Sequence, residues 1–237
     1  MSMTTDILKQ SALHYGIELT DDQLAQFELY KTLLLDWSTR MNLTAIKDEE
    51  GIAVKHFLDS ILLNVKLHLT QGARLIDVGT GAGFPAVPLK IVRPDIAITL
   101  ADGLNKRITF LNELTRQLQL EAHTIHARAE ELGKSPGYRE RYDYATARAV
   151  ASLNELSEYC LPFVKVGGTF AAMKSGEVDE ELSAAQNAVA LLGGKVEEVL
   201  RFTLPDESRR SIVVIKKISH TSPKYPRVSA QIAKKPL

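Results

Sequence analysis

The chain of 237 residues has a single cysteine, Cys160, and no run of about 18 consecutive apolar residues. One cysteine can form neither an intramolecular disulfide nor a cysteine-built zinc site, and such usage favours a reducing compartment. The first residues, Met1-Ser-Met-Thr-Thr-Asp6, also lack the basic start and apolar run of a signal peptide. We therefore expect a cytoplasmic protein that is neither exported nor embedded in a membrane.

The chain also lacks a net charge, because 29 basic residues balance 29 acidic ones. Composition alone therefore gives no reason to expect a polyanionic partner. The distribution is uneven, since residues 209–237 contain eight basic residues and no acidic one, which leaves 21 basic against 29 acidic residues on residues 1–208. A basic tail on an acidic body favours phosphate binding, although a solvated strand and a frayed end explain the same pattern equally well.

The pattern of apolar residues divides the chain into three parts. Residues 1–72 show helical periodicity, with a capping box at Thr20-Asp-Asp-Gln23 and a second apolar helix from about Glu49 to Val65, and predict an N-terminal helical lobe. From Ala73 short β-like runs alternate with helical ones, which indicates a parallel α/β sheet over residues 73–220. Residues 221–237 form the basic tail. The predicted strands span 74–78, 96–101, 123–127, 142–147, 169–173, 196–203 and 211–217, and the predicted helices of the core span 84–91, 104–120, 153–164 and 178–192.

The last two predicted strands have no helix between them, only a short connector of the kind found in hairpins. Five alternating units that end in such a pair predict a seven-stranded, mostly parallel sheet with one antiparallel strand.

A glycine-rich loop, Asp77-Val-Gly-Thr-Gly-Ala-Gly83, follows the first predicted strand and precedes a helix marked by Pro85. Glycines at Gly79, Gly81 and Gly83 allow unusual backbone dihedrals and close approach to a ligand. Their G-x-G-x-G spacing differs from the G-x-G-x-x-G of dinucleotide sites. Asp77 is predicted to reach a ligand's ammonium group, directly or through water.

Polar residues also end the second and third strands. Asp102 is placed to accept hydrogen bonds from ribose hydroxyls, and Glu130 or a backbone group near it is placed to read an adenine edge. Three such features at the ends of successive strands favour S-adenosylmethionine, with S-adenosylhomocysteine as product, over NAD. The fold class expected is therefore the Rossmann-like class I methyltransferase.

Features that the sequence lacks narrow the choice of methyl acceptor. The fourth strand carries no Asn/Asp-Pro-Pro-Tyr/Phe element of the kind common in amino-methylating enzymes, and Cys160 has the pattern of a helix core residue rather than a thiolate nucleophile. What remains is an acceptor that needs neither a covalent nucleophile nor a strong base. Guanine N7 fits this description, because it has an in-plane lone pair and loses no proton on methylation. Arg148, at the end of this strand, is the candidate catalytic residue and can bind acceptor or cofactor, while an ordinary surface salt bridge stays open as its alternative.

Six motifs occur together in the sequence: the glycine-rich loop with Phe84 and Pro85, Met41-Asn-Leu-Thr44, His56-Phe-Leu-Asp-Ser60, Leu104-Asn-Lys-Arg107, Ala129-Glu130 and Ala147-Arg-Ala149. With this combination the chain closely resembles the bacterial 16S ribosomal RNA (guanine-N7)-methyltransferase G family, also called RsmG or GidB. The resemblance implies an enzyme whose partner is 16S ribosomal RNA or a small-subunit precursor, with cofactor positions at Gly79, Phe84, Ala129, Glu130 and Arg148. Two departures are Ala86 for the usual glycine and Gly103 for the usual serine, both small-for-small.

Several polar residues are candidates for contact with RNA. Asn42 lies in a predicted loop, His56 lies on the second apolar helix, and the basic candidates follow strands or belong to the tail; turn formation, a helix-surface pair and simple solvation are the alternatives. We expect no metal and a monomer. A methyltransferase for a small molecule or protein, and a non-catalytic RNA-binding assembly factor, remain the competing hypotheses. The candidates for RNA contact are Asn42, His56, Arg107, Lys174 and Arg227.

Overall fold

The computed structural model describes residues 2–148 and 151–237. Met1, Ala149 and Val150, and with them the last residue of the Ala147-Arg-Ala149 motif, lie outside the described residues. Within the described part, no helix is both long and apolar enough to cross a membrane.

Seven strands form one sheet in the order β3-β2-β1-β4-β5-β7-β6. Strands β1 to β5 run parallel, and β7 inserts antiparallel between β5 and β6, with Phe170 opposite Ile215 and Val199 opposite Val213. The prediction of a mostly parallel seven-stranded sheet with one antiparallel strand is confirmed. The strands are β1 Arg74–Val78, β2 Ala97–Asp102, β3 His123–His126, β4 Tyr142–Arg148, β5 Val164–Ser175, β6 Gly194–Thr203 and β7 Arg209–Lys217.

Helices cover both faces of the sheet and form two hydrophobic clusters. One cluster joins the N-terminal helices to one face of the sheet, where Phe27, Tyr30 and Phe57 share a core with Phe84 and Leu111. The lobe therefore packs on the sheet through a common core, and the predicted domain boundary at residue 72, in the turn before β1, stays a prediction. The helices are α1 Met3–His14, α2 Asp21–Ser38, α3 Glu49–Gly51, α4 Asp59–Leu67, α5 Ala86–Val92, α6 Asn105–Gln117, α7 Ala129–Leu132, α8 Leu153–Cys160, α9 Asp179–Leu191 and α10 Ser229–Lys234.

The second predicted apolar helix is not a continuous α-helix. Between α3 and α4 the backbone widens into a π-helical segment, Ile52–Leu58, which carries Lys55 and His56. The guanidinium of Arg148 donates a hydrogen bond to the Lys55 carbonyl at 3.1 Å, so this arginine of β4 binds a backbone carbonyl of the π-helical segment. Single π-helical turns of this kind often mark functional sites.

The predicted helix 153–164 ends earlier than expected. Helix α8 stops at Cys160, a 3-10 turn spans Leu161–Phe163, and β5 already begins at Val164. Pro162 explains the early end, because proline lacks the N–H that an α-helix needs in its interior. The tail also differs from a frayed end, since α10 lies within it and Tyr225 and Ile232 are buried.

Candidate functional site

The glycine-rich loop leaves the carboxyl end of β1 with Gly79, Gly81 and Gly83 all at positive φ, +69°, +61° and +99°. A Cβ on Gly83 would lie 2.8 Å from the Tyr30 hydroxyl oxygen, so only glycine lets α2 approach this closely. The Tyr30 hydroxyl donates to the Ala82 carbonyl at 2.6 Å. The N-terminal lobe therefore holds the loop in place.

Asp77 lies beneath this loop and is fully buried. Its Oδ2 accepts hydrogen bonds from the Thr80 hydroxyl at 2.8 Å and from the Ala86 backbone N–H at 3.3 Å. Among the described residues its Oδ1 has no hydrogen-bond partner. Burial raises the pKa of the Asp77 carboxyl to about 7. Asp77 thus shapes the loop and retains one oxygen for a further donor.

A cavity of about 290 Å³, the Asp102 cavity, opens at the carboxyl ends of β1, β2 and β3. Four of the predicted cofactor residues line this cavity, namely Gly79, Asp102, Ala129 and Glu130. The structure therefore brings them together, and their roles in cofactor binding stay predictions. This is the edge of an open parallel sheet where ligands bind. Its lining residues are Val78, Gly79, Ala101, Asp102, Gly103, Ala127, Arg128, Ala129, Glu130, Ala151, Glu155, Tyr159 and Ser229.

The Asp102 carboxylate is buried and already holds three protein donors. Its Oδ1 accepts from the Leu104 N–H at 2.9 Å, and its Oδ2 accepts from the Gly81 N–H at 3.0 Å and from Arg107 at 3.3 Å. A carboxylate offers roughly four acceptor sites, so Oδ1 keeps capacity for a ligand hydroxyl. The Gly81 bond also ties the glycine-rich loop to the end of β2.

Phe84 follows the loop and is surrounded by three of the other site residues. Its ring stacks with Tyr30 at 5.3 Å and with His56 at 4.5 Å between centroids. The Arg148 guanidinium lies 4.9 Å from the Phe84 ring centroid, a cation–π distance. Phe84 does not line the Asp102 cavity, so it connects the loop to Arg148 rather than forming the cavity wall.

Arg148 ends β4 and is held by the N-terminal lobe. Its Nη1 donates to Asp59 Oδ2 at 3.0 Å, and the Asp59 side chain is only 4% exposed. The Nε of Arg210 lies 3.3 Å from the other Asp59 oxygen, close enough for an ion pair but not aligned for a hydrogen bond. A surface salt bridge, the alternative considered for Arg148, is not what the structure contains, because one carboxylate holds two largely buried arginines.

His56 is neutral in this arrangement. Burial, and then the positive charge of Arg148, lower the pKa of His56 to about 3. Because Arg148 Nη2 approaches Nδ1 at 3.5 Å and can only donate, Nδ1 is the acceptor. Nε2 therefore carries the proton and donates to the Thr44 hydroxyl oxygen at 2.7 Å.

A second cavity of about 370 Å³, the Arg148 cavity, lies between the π-helical segment and the ends of β5 and β7. Lys55, Lys174 and Arg210 make much of its wall basic. Lys174 donates to the Ala151 carbonyl at 2.7 Å, so the two cavities adjoin where Lys174 of one meets Ala151 of the other. Its lining residues are Ile46, Lys55, His56, Asp59, Arg148, Met173, Lys174, Ser175, Glu181, Phe202, Arg210, Ser211 and Ile212.

The predicted RNA-binding residues are spread over several places. His56 and Lys174 line the Arg148 cavity, whereas Asn42 is exposed in a separate shallow depression. Arg107 donates a hydrogen bond to Asp102 at 3.3 Å, and Arg227 forms a bidentate pair with Glu158 at 2.7 and 2.9 Å. RNA contact by these residues stays a prediction.

Sequence reasoning did not identify Lys55, Arg210 or Glu181 as site residues. Arg210 belongs to the basic C-terminal stretch, and that excess of positive charge is the one sequence signal that includes it.

The chain is similar to known methyltransferases in sequence and in fold. The family model for rRNA small subunit methyltransferase G (GidB) matches residues 23–213. The ribosomal RNA small subunit methyltransferase G of Alkaliphilus metalliredigens is 50% identical over 233 residues, 98% of each chain. That of Acetivibrio thermocellus is also 50% identical over 233 residues, 98% of this chain and 96% of its own.

Solved structures agree on the fold. TrmN from Thermus thermophilus aligns with a TM-score of 0.52 at 18% identity, over 67% of this chain and 48% of its own. The SAM-dependent O-methyltransferase from Thermotoga maritima aligns with a TM-score of 0.52 at 15% identity, over 80% of this chain and 73% of its own. At such identities these matches establish the class I methyltransferase fold alone.

Proposed function

The chain belongs to the rRNA small subunit methyltransferase G family, and on that basis we propose that it methylates guanine N7 in 16S ribosomal RNA, with S-adenosylmethionine as methyl donor. The substrate is the small-subunit RNA or its precursor, and the enzyme works in the cytoplasm as a monomer. The observation that carries the proposal is the pair of adjoining cavities at the carboxyl edge of the sheet, one acidic at its base and one basic in its wall.

The residues of the Asp102 cavity fit S-adenosylmethionine. Asp102 is proposed to offer a carboxylate oxygen to the ribose, and Gly79 lets the backbone approach a ligand. Glu130, buried in the same cavity, is proposed to read the adenine edge. The free Oδ1 of Asp77, beneath the same loop, suits the ammonium group of the methionine part. Gly81, Gly83 and Phe84 are also predicted to bind the cofactor, but they do not line the Asp102 cavity, and we propose that they shape and support the loop instead.

The bound cofactor supplies an electrophilic methyl group on a sulfonium. A guanine N7 lone pair that accepted this methyl would form the N–CH3 bond as the S–CH3 bond broke, and neutral S-adenosylhomocysteine would leave. N7 has no proton to lose, so the protein would need no general base and would contribute mainly by orienting the acceptor. The alternative of a thiolate nucleophile is disfavoured, because Cys160 is fully buried and burial raises the pKa of its thiol well above the usual range.

The Arg148 cavity is the proposed acceptor site. Lys55 pairs with Asp206 at 3.3 Å, and Lys174 pairs with Glu181 at 2.6 Å. The two lysines are proposed to exchange these partners for RNA phosphates, the sequence-independent contacts that dominate RNA affinity. Asp59 offsets one of the two positive charges of Arg148 and Arg210, which reduces their repulsion of the guanine as it becomes cationic. Neutral His56 holds Arg148 in place without adding a further charge. An unpaired guanine is the expected target, since position 7 in an A-form helix faces a narrow, deep groove.

The test is a methyl-transfer assay with purified protein, labelled S-adenosylmethionine, and either naked 16S RNA or small subunits from a strain that lacks the modification. Chromatography of the digested RNA should show labelled 7-methylguanine, and increasing salt should reduce the rate steeply. Asp102→Ala should lose affinity for S-adenosylhomocysteine in calorimetry, while Lys9→Ala, an exposed change on α1, should match the wild type. Cofactor binding without any labelled 7-methylguanine from either substrate would refute the proposed acceptor.

A further inference from the structure

The C-terminal strap, residues 221–237, is fastened to the body of the protein rather than free in solvent. The guanidinium of Arg139 donates to the carbonyls of Thr221 at 2.6 Å, Ser222 at 3.2 Å and Tyr225 at 2.9 Å. Tyr225 is buried against the sheet's second hydrophobic cluster, which also receives Leu237. A segment with this many carbonyls bound by one arginine has a defined path over the surface.

A second anchor joins the strap to α8. The Glu158 side chain, 1% exposed, accepts hydrogen bonds from the Arg227 backbone N–H at 2.7 Å, from Nε at 2.9 Å and from Nη2 at 2.7 Å. The remaining nitrogen, Nη1, donates to the Lys235 carbonyl at 3.0 Å. Each guanidinium nitrogen of Arg227 is thus engaged within the protein, and the fork geometry makes a bidentate pair on a buried carboxylate.

This anchor lies beside the Asp102 cavity. Two residues after Arg227, Ser229 forms part of the cavity wall. On α8, Glu155 and Tyr159 flank Glu158 in the helix and line the same cavity. One ion pair therefore fixes the spacing between two walls, the α8 wall and the strap wall, that close the cavity opposite the strand ends.

We infer that the C-terminal strap is a wall of the S-adenosylmethionine site and that Arg227 is a positioning residue for the cofactor, acting through Glu158. The inference rests on the proposed function, since it takes the Asp102 cavity to be the cofactor site. Arg227 therefore has a role different from phosphate binding: it places Ser229 against the nucleoside and does not contact RNA.

The key variant is Arg227→Lys, which keeps the positive charge that a phosphate contact needs but loses the fork that grips Glu158. Lys234→Ala is the matched control, because it changes an exposed residue of the same strap. For the full-length protein, calorimetry gives the Kd of S-adenosylhomocysteine, and filter binding at several salt concentrations gives the affinity for 16S RNA. Thermal unfolding checks that each variant is folded.

Arg227→Lys should raise the Kd of S-adenosylhomocysteine about tenfold, because the strap must then be ordered on binding. The KM for S-adenosylmethionine should rise with it while kcat stays within about twofold. RNA affinity and its salt dependence should equal those of the wild type, and Lys234→Ala should leave the cofactor Kd unchanged.

The opposite pattern overturns the inference. An unchanged cofactor Kd in Arg227→Lys, in a protein whose wild type binds S-adenosylhomocysteine, would show that the strap is not part of the site. If Arg227→Lys proves unstable, Glu158→Gln, which retains acceptor and shape, is measured in the same way and must also weaken cofactor binding. Failure of the wild type itself to bind S-adenosylhomocysteine would count against the proposed function instead.

Discussion

Gly83 is the position where the glycine-rich loop and the N-terminal lobe meet, and its replacement by alanine gives a sharp test of that contact. A Cβ here would lie 2.8 Å from the Tyr30 hydroxyl, 2.8 Å from a Val87 methyl and 3.2 Å from a Leu111 methyl. Gly81 provides the matched control. It also has positive φ, at +61°, but the nearest atom to its Cβ is a backbone oxygen at 3.9 Å.

The expected costs follow from these distances. Positive φ costs a non-glycine residue roughly 1–2 kcal/mol, and this applies to both positions. Overpacking a well-filled core adds about 1–3 kcal/mol, and this applies to Gly83 alone. Gly83→Ala should therefore lower the free energy of unfolding by about 3 kcal/mol, and Gly81→Ala by about half of that.

Thermal unfolding measures the difference directly. In a chain of this size 1 kcal/mol shifts Tm by about 2–4 °C, so the two variants should differ by several degrees. Tyr30→Phe removes one of the clashing atoms, and in that background the penalty of Gly83→Ala should shrink. Equal Tm values for Gly83→Ala and Gly81→Ala would refute the claim that α2 packs on the loop at this point.

Three further predictions concern charge. Burial raises the pKa of Asp77 from 3.8 to about 7, so its favourable contribution to folding is present below about pH 4 and is lost as pH rises through 7. In urea unfolding, the free energy of unfolding of Asp77→Asn should therefore rise by about 3 kcal/mol relative to that of the wild type between pH 5 and pH 8. A pH-independent difference would contradict this. The pKa of His56 is lowered from 6.5 to about 3, so the neutral ring stabilises the fold above about pH 6.5 and this stabilisation is lost as pH falls. Between pH 7 and pH 5 the free energy of unfolding of the wild type should fall by about 2 kcal/mol relative to that of His56→Asn. Parallel stability curves for the two proteins would exclude a buried neutral histidine. Lys174→Ala should reduce the slope of log Kd for RNA against log salt by about 0.7–0.9, the value for one phosphate contact, whereas Lys9→Ala should not, and an unchanged slope would remove Lys174 from the RNA interface.

Much of the Asp102 cavity could be predicted because its residues follow strands. Gly79, Asp102 and Glu130 come after β1, β2 and β3, and the carboxyl ends of parallel strands meet at one edge of a sheet. The G-x-G-x-G spacing then decides between ligand classes. Local pattern and topology were enough for this half of the site.

The contacts made over long sequence distances could not be predicted in this way. Asp59 lies between Arg148 and Arg210, and Glu158 pairs with Arg227, through pairings that leave no periodic trace in the sequence. Helices as short as α7 and α10 contain too few turns to show an apolar stripe. The π-helical segment is hidden for a different reason, since its residues continue the apolar pattern of an ordinary helix.

The insertion of β7 between β5 and β6 has a consequence for synthesis of the protein. Chains emerge from the ribosome amino end first, and Arg210 belongs to the last strand to appear, while the partner that it shares with Arg148 lies in α4. A nascent chain can thus form the glycine-rich loop before the residues that complete the Arg148 cavity have been synthesised. Residues 1–208 alone would therefore contain the glycine-rich loop and the Arg148–Asp59 ion pair, but not the Arg210–Asp59 ion pair.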